Sequence, residues 1–393
     1  MQLHAGRGRQ ELLNQHIMNI HSQTHPPVGL IHGERLPHLD GFRAISIGMV
    51  LGAHCIQLDN FPISMRGIWF FIFDGNLGVR FFFAISGFII TWLLMREASP
   101  NGFVSLKGFW GRRAVRILPA YCLFLLAMVL LQWLTPWRLT QHGWLGVLTF
   151  TANYNTLNQW LPVHLWSLSV EEQFYLLWPM AFILLKPWNC PRRALAVLTS
   201  VIILCILCQW LGSGHHSLPI LGGFSFLRTS DSIAFGCIGA IALWHYRSHM
   251  NLFIARYRMW LVLTAVVTIA LPKVLEALRL CPPWHFSGST AIQGFGLVLL
   301  LIWSQLEPRK VVFRFLLFKP IILIGTWSYS IYLWQQIFCS KAATFGLAGT
   351  PWWLNFPGWL LPSLILGMSS YYLIEQPIRS RFRNRRAIAA KSF

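Results

Sequence analysis

The chain has 393 residues, of which 55% are hydrophobic and only 11% are charged. Soluble domains carry about 25% charged residues. This composition therefore excludes an ordinary soluble protein, and the long apolar runs predict an all-α integral membrane protein. The formal net charge is +20, but the basic residues lie in loops between apolar segments, as they do in loops that face the cytoplasm. Nucleic acid is not an expected partner.

Residues 1–40 form a polar segment, rich in His and Gln, ahead of the first apolar run. This segment lacks the apolar core of a cleavable secretion signal, which predicts a flexible cytoplasmic leader. Residues 41–376 contain no repeat of fixed period and no Gly/Ser-rich or Pro-rich linker, so they are interpreted as one membrane domain. Residues 377–393 are predicted to form a basic cytoplasmic tail.

Ten apolar segments are candidates to cross a hydrocarbon core of about 30 Å. Lys and Arg concentrate in alternate loops, which places those loops and both termini in the cytoplasm. Residues 144–158 then cannot cross, because a crossing there would put the basic loop 186–193 outside; they are predicted to be re-entrant or interfacial. The predicted spans are 42–59, 77–95, 115–135, 162–185, 194–212, 229–246, 259–272, 290–307, 320–340 and 356–374.

The first span, "GFRAISIGMVLGAHCIQL", carries Arg43 near one end and His54 near the other. Eleven residues at about 100° each return close to the starting direction, so both side chains lie on one helix face, about 16 Å apart along the axis. Ionisable groups inside a membrane are costly and usually functional. The simpler alternative is that Arg43 extends to the interface and that His54 is a hydrogen-bonded packing residue.

Three arginines lie at the cytoplasmic end of the third span, with Pro119 just inside the helix. Guanidinium groups match phosphate oxygens, so the cluster is predicted to hold a phosphate-rich donor at the cytoplasmic face. Ordinary anchoring at the interface is the alternative, and for Arg112 alone it is the simpler explanation. The three arginines are Arg112, Arg113 and Arg116.

The fourth span contributes Glu171 and Glu172, which point about 100° apart, so only one of them is expected to reach a given site. From the predicted span ends, His54 lies about 18 Å above Phe42 and Glu171 about 13 Å below Pro162. These depths nearly coincide in a core of about 30 Å, which predicts an imidazole base with a carboxylate partner. A hydrogen bond between helices is the alternative for Glu171. The other charged side chains within spans are Arg80 and Asp231.

Six motifs, read together, resemble the membrane-bound acyltransferase-3 family. They are "LDGFRAISIGMVLGAH", "GVRFFFAISGFIIT", "RRAVRILPAY", "HLWSLSVEEQFYLLWP", "GTWSYSIYLW" and "LIEQPIR", in the family's order from Leu39 to Arg379. The resemblance implies about ten transmembrane helices in one bundle. It also implies transfer of an acyl group, usually acetyl from acetyl-CoA, to extracytoplasmic or lipid-linked carbohydrates. Glycan-modifying members often add a soluble hydrolase-like domain; with nineteen residues after Ile374, none is expected here.

The resemblance also assigns site residues. The family's arginine–X10–histidine motif falls on Arg43 and His54, and the glutamate of "SVEEQFY" falls on Glu171. Many members read "YLWH" where this chain reads "YLWQ", so Gln335 stands in place of a second histidine. The arginines of the family's third helix fall on Arg112, Arg113 and Arg116.

These residues predict an O-acyltransferase of the bacterial cytoplasmic membrane. Its donor would be acyl-CoA, foremost acetyl-CoA, bound at the arginine cluster, and its acceptor a carbohydrate or a lipid-linked glycan; no metal is expected. His54 would act as general base or carry the acyl group covalently, Arg43 would hold the donor or stabilise negative charge, and Glu171 would orient the site or bind the acceptor. The alternative is a transporter or flippase whose buried charges line a path, although the two halves show no inverted repeat.

Overall fold

The computed structural model describes residues 37–154, 160–212, 224–278, 280, 288–308 and 310–389. Within these ranges all regular structure is helical and no strand is present, so the predicted all-α class is confirmed. Most of the predicted leader, residues 1–36, lies outside the described residues, as do the last residues of the predicted tail, 390–393. Residues 37–40 already belong to the first helix.

Fifteen α-helices follow one another along the described residues. The α-helices of the first half are α1 Pro37–Cys55, α2 Arg66–Ile72, α3 Gly75–Asn101, α4 Leu106–Leu134, α5 Gln141–Leu148, α6 Trp160–Val163, α7 Leu165–Leu185 and α8 Pro191–Leu211. Those of the second half are α9 Phe226–Thr229, α10 Asp231–Ala277, α11 Ser289–Leu306, α12 Val311–Arg314, α13 Lys319–Phe338, α14 Leu360–Ser370 and α15 Gln376–Ala389. A π-helical turn, Tyr371–Glu375, joins α14 to α15, so the described part of the predicted tail continues that helix.

Six helical stretches among the described residues are long and apolar enough to cross a bilayer, and a bent pair makes up to seven. The bent pair consists of Val311–Leu317 and α13, which meet at 61°. The chain is thus a multi-pass membrane protein, while the predicted count of ten spans is not confirmed. The six stretches are Ile63–Pro100, Leu106–Leu134, Trp160–Leu185, Pro191–Leu211, Asp231–Ala277 and Ser289–Leu306.

Helix α10 explains part of the difference from the predicted count. It runs for 47 residues and contains the predicted span 259–272 and all but the first two residues of the predicted span 229–246. Its length of about 70 Å is more than twice the thickness of a hydrocarbon core. The backbone leaves helical geometry at Tyr246 (φ −119°, ψ 21°) and at Tyr257 (φ −118°, ψ 24°). Because no Gly or Pro lies between these kinks to stop the helix, the predicted loop is a bent helical connection instead.

The segment 144–158 does not form a spanning helix over its described part. Helix α5 ends at Leu148 after eight residues, a length of about 12 Å that cannot cross a core of about 30 Å. Side chains of other helices bond to the end of α5. The Tyr121 hydroxyl donates to the Val147 carbonyl at 2.5 Å, and just after the helix Gln173 Nε2 donates to the Phe150 carbonyl at 2.8 Å. Residues 155–159 lie outside the described residues.

Close helix crossings fix the position of α1, which carries Arg43 and His54 between α3 and α13. Gly325 on α13 lies directly against the backbone of Asp40 on α1. In the same way, Gly236 on α10 lies against the backbone of Ala84 on α3. Small residues at crossings let the backbones of membrane helices approach closely. These contacts therefore determine where the side chains of α1 and α3 point.

We predict that Gly325→Ala lowers the thermal unfolding midpoint of the detergent-solubilised protein, because the added methyl group would overlap the Asp40 carbonyl. Overpacking of this kind costs about 1–3 kcal/mol. The matched control is Gly48→Ala on α1, where an added methyl group meets no atom within 4 Å. The control should keep the wild-type midpoint or raise it slightly, since Ala favours helix over Gly. Equal midpoints for the two variants would contradict the close crossing of α1 and α13.

Candidate active site

Arg43 and His54 line two different cavities. Arg43 lies near the start of α1, and His54 lies in its last turn. Arg43 faces a cavity of about 820 Å³ that we name the arginine cavity. His54 faces a cavity of about 1360 Å³ that we name the histidine cavity. Val79 of α3 and Tyr332 of α13 line both cavities, so the two spaces meet at these side chains.

The arginine cavity gathers three guanidinium groups and one carboxyl group. Arg113 and Arg116 reach it from α4, Glu171 reaches it from α7, and Arg43 completes the set from α1. The Glu171 carboxyl interacts electrostatically with all three arginines. Because positive groups outnumber negative ones three to one, the cavity suits an anionic ligand. The set is Arg43, Arg113, Arg116 and Glu171.

Uncharged neighbours hold the carboxyl and one guanidinium of the arginine cavity in place. The Ser86 hydroxyl donates to the Glu171 carboxyl at 2.7 Å, and the Tyr175 hydroxyl donates to Ser86 Oγ at 3.3 Å. The guanidinium carbon of Arg113 lies 5.7 Å from the Phe109 ring centre and 5.6 Å from that of Tyr175, within cation–π range. Arg113 Nε is buried and has no hydrogen-bond partner among the described residues.

Arg112 does not belong to this set, although the sequence groups it with Arg113 and Arg116. Its side chain is 40% exposed and forms an ion pair with Glu97 of α3 at 2.6 Å. Adjacent residues on a helix point about 100° apart, so Arg112 and Arg113 face different directions. The structure thus replaces the predicted trio by Arg43, Arg113 and Arg116.

The histidine cavity surrounds His54 with aromatic and charged side chains. The edge of its ring packs against Trp160 with ring centres 5.2 Å apart, and Nδ1 lies 3.1 Å from Gln335 Oε1. Arg80, which bonds to Gln293, lines the same cavity. Further lining residues with aromatic or ionisable side chains are Phe70, Phe73, Asp74, His164, Trp166, Lys273 and Glu276.

The structure does not bring His54 and Glu171 together as base and carboxylate partner. Gln335 is the hydrogen-bond partner of His54, while Glu171 bonds to Ser86 in the other cavity. The depth argument depended on the helix ends, and each misplaced residue moves a side chain by about 1.5 Å. Helix α1 starts at Pro37, five residues before the predicted span, and α7 starts only at Leu165.

Several residues that contribute to the two cavities have no distinctive signal in the sequence. Ser86, Tyr175 and Tyr332 belong to apolar runs and look like ordinary packing residues. Gln335 is different, because its departure from the common family motif marks the position. Glu172 does not line the arginine cavity, in agreement with the expectation that only one of the two glutamates reaches a given site. Among the described residues, no three His, Cys, Asp or Glu side chains converge as metal ligands.

Comparison with known proteins identifies the family. The model of the acyltransferase-3 family, described as "Acyltransferase domain", matches residues 36–374. The chain is 29% identical over 369 residues to O-acetyltransferase OatA of Staphylococcus aureus (strain NCTC 8325 / PS 47), which covers 88% of this chain and 57% of that protein. A putative O-acetyltransferase of Staphylococcus aureus (strain COL) is 28% identical over 367 residues, with the same coverage of 88% and 57%.

The chain spans little more than half the length of these relatives, 57%. No solved structure matches it. The family model nevertheless covers most of the sequence, including α1 with Arg43 and His54 and α13 with Gln335. The chain therefore belongs to the acyltransferase-3 family.

Proposed function

We propose that the protein is an integral-membrane O-acyltransferase that moves an acyl group, foremost acetyl, from acyl-CoA to a hydroxyl group of a carbohydrate or lipid-linked glycan. Family membership supports acyl transfer, and the names of the relatives support an oxygen acceptor and an acetyl group. The observation that carries the proposal is a pair of cavities that meet at Val79 and Tyr332, one rich in arginine and one lined by His54.

The donor occupies the arginine cavity in this proposal. Acyl-CoA carries several phosphate groups, and guanidinium groups bind phosphate oxygens through paired hydrogen bonds. The excess of arginine over glutamate among the lining residues supports this placement. The flexible pantetheine arm would then pass Val79 and Tyr332 to bring the thioester to His54.

His54 is the proposed general base. It takes the proton of the acceptor hydroxyl, whose oxygen attacks the thioester carbonyl carbon. The carbon–sulfur bond breaks, an ester forms, and the proton passes from His54 to the departing CoA sulfur. The reaction therefore yields an acylated acceptor and free CoA. Attack by His54 itself, with an acyl-imidazole intermediate, is the covalent variant of the same scheme.

The other two predicted site residues serve the donor rather than the base. Arg43 lies eleven residues from His54, about 16 Å along the helix, too far to stabilise charge at the thioester when that group is beside His54. Arg43 therefore binds the donor, together with Arg113 and Arg116. Glu171 bonds to Ser86 and faces these arginines, so it positions them.

The histidine cavity is the proposed acceptor site. Its aromatic side chains, including Trp160 and Trp166, offer faces for sugar rings, and its charged side chains offer partners for hydroxyl groups. Asp74 and Glu276 balance Arg80 and Lys273 in formal charge, which favours a neutral polyhydroxyl compound over an ionic one.

The proposed orientation follows from charge. Loops rich in Lys and Arg face the cytoplasm, which puts both termini, the start of α1 and the arginine cavity on the cytoplasmic side of a bacterial inner membrane. His54, at the other end of α1, then lies toward the extracytoplasmic side. The donor and the acceptor approach from opposite faces.

An assay with acetyl-CoA labelled in its acetyl group separates this function from transport. An acyltransferase moves the label to the acceptor and releases free CoA, whereas a transporter leaves the thioester intact.

We predict that His54→Ala lowers kcat for transfer from radiolabelled acetyl-CoA by about 100-fold to 10,000-fold, the usual contribution of a general base. The variant should still fold, with an unfolding midpoint lowered only by the loss of the hydrogen bond to Gln335. The control is His249→Ala, which removes an exposed histidine of α10 that lines neither cavity. If His54→Ala turns over at the wild-type rate, His54 is not the base.

We predict that Arg113→Gln and Arg116→Gln each raise KM for acetyl-CoA about 10-fold to 150-fold, because a charge-assisted hydrogen bond contributes about 1.5–3 kcal/mol. Arg112→Gln is the matched control on the same helix. It should change this KM little, because Arg112 pairs with Glu97 outside the cavity. An equal effect of Arg112→Gln, or a raised KM for the acceptor alone, would contradict the placement of the donor.

A further inference from the structure

Three consecutive hydrogen bonds connect His54 to the backbone of α6. Gln335 Oε1 lies 3.1 Å from His54 Nδ1. Gln335 Nε2 donates to Gln336 Oε1 at 2.9 Å, and Gln336 Nε2 donates to the carbonyl oxygen of Trp160 at 2.9 Å. Both glutamine side chains are 0% exposed. Two adjacent and fully buried amides would be unfavourable without such partners, since each unmade hydrogen bond costs about 1–3 kcal/mol.

The end of this chain of hydrogen bonds fixes its direction. A backbone carbonyl only accepts, so Gln336 must present its NH₂ group to Trp160 and its oxygen to Gln335. Gln335 must then present its NH₂ group to Gln336 and its oxygen to His54. Reversing either amide would oppose two oxygens or two NH₂ groups. The orientation of one isolated glutamine amide is ambiguous, but a series that ends on a carbonyl has a single consistent arrangement.

Trp160 is itself held at three points. Its indole NH donates to the Cys339 carbonyl at 2.8 Å, its backbone carbonyl accepts from Gln336, and its ring packs against the edge of His54. The Trp160 carbonyl, the last hydrogen-bond acceptor in this chain of hydrogen bonds, is therefore fixed relative to the His54 imidazole at the other end.

We propose that Gln335 is a positioning residue that fixes the tautomer of His54, with Gln336 and the Trp160 carbonyl setting the direction of its amide. Because Gln335 Oε1 only accepts, the proton of neutral His54 sits on Nδ1. Nε2 is then left without a proton and is the basic atom of the ring. This inference rests on the proposed role of His54 as general base.

An amide in this position has a consequence that a carboxylate would not have. It orients the imidazole without placing a second charge at a fully buried position, where an unpaired ion is strongly disfavoured. His54 thus remains neutral until it takes the proton of the acceptor. The oxygen that accepts from Nδ1 belongs to a neutral amide whose nitrogen is also hydrogen-bonded, to Gln336.

The first test measures the tautomer in the unaltered protein. Nitrogen NMR of ¹⁵N-histidine-labelled protein in detergent, with the His54 signals assigned by their loss in His54→Ala, separates the two neutral tautomers. We expect His54 to carry its proton on Nδ1. A proton on Nε2 would overturn the proposal, and this result needs no glutamine variant to fold.

The second test separates positioning from structural support. Gln335→Met removes the acceptor with little change in size, and we expect kcat to fall about tenfold to 100-fold, less than in His54→Ala. KM for acetyl-CoA should stay within twofold, and the tautomer signal should become a mixture. Gln335→Glu, which keeps an oxygen acceptor for Nδ1, should retain more activity than Gln335→Met. The matched control is Gln305→Met, which removes another buried glutamine amide, bonded to Ser304 on α11, and should keep kcat.

The outcomes distinguish this inference from the proposed function. If His54→Ala is inactive while Gln335→Met keeps the wild-type kcat and tautomer, the positioning role is wrong and the base stands. If His54→Ala is fully active, the base itself is wrong. If Gln335→Met does not fold, Gln336→Met and the tautomer of the wild-type protein still decide: a wild-type proton on Nε2 contradicts the proposal, and a proton on Nδ1 that becomes a mixture in Gln336→Met supports it.

Discussion

The stiffness of one helix sets the distance between the two halves of the site. Arg43 and His54 share a face of α1, and eleven residues of continuous α-helix hold them about 16 Å apart along the axis. Helices α1 and α13 are in close backbone contact at Asp40 and Gly325, so α1 has little freedom to shift. A ligand that uses both groups must therefore be long, and the extended pantetheine arm of acyl-CoA meets that requirement.

The same low-dielectric surroundings explain how the polar groups are arranged. Inside a bilayer, water is not available to satisfy a buried polar group, so partners must come from the protein. The Glu171 carboxyl accepts a hydrogen bond from Ser86, and Ser86 Oγ accepts one from Tyr175. Tyr332, where the cavities meet, donates to the His164 carbonyl at 2.9 Å and contacts the Ser167 hydroxyl at 2.6 Å. Ten buried side-chain atoms among the described residues, Arg113 Nε among them, have no such partner.

Sequence reasoning succeeds here where it depends on local periodicity. A regular helix is enough to predict that Arg43 and His54 lie on one face. The apolar composition is enough to predict an all-α membrane protein. The short α5 is also predictable, because charge in the following loop rules out a crossing. Charge and helix position also single out Glu171 and the arginines of α4, on which the family's motifs fall; of these, Arg113, Arg116 and Glu171 line the arginine cavity.

Predictions that require absolute helix ends or neighbours from distant helices fail. The expected pairing of His54 with Glu171 rests on span limits that differ from the actual helix starts. Arg112 is separated from the arginine cavity by its ion pair with Glu97, a residue on another helix that no local sequence pattern links to Arg112. Two predicted spans merge in α10 because helix propensity continues through a connection without Gly or Pro. Each error comes from tertiary context, which one sequence does not contain.

The central claim is that the donor enters through the arginine cavity and brings its thioester to His54 at the junction of the two cavities. Cryo-electron microscopy of the protein with a hydrolysis-resistant thioether analogue of acetyl-CoA tests this directly. The account predicts density for the phosphates beside Arg43, Arg113 and Arg116, and density for the acyl end between Val79, Tyr332 and His54. Phosphate density beside Arg80 and Lys273 in the histidine cavity would contradict it.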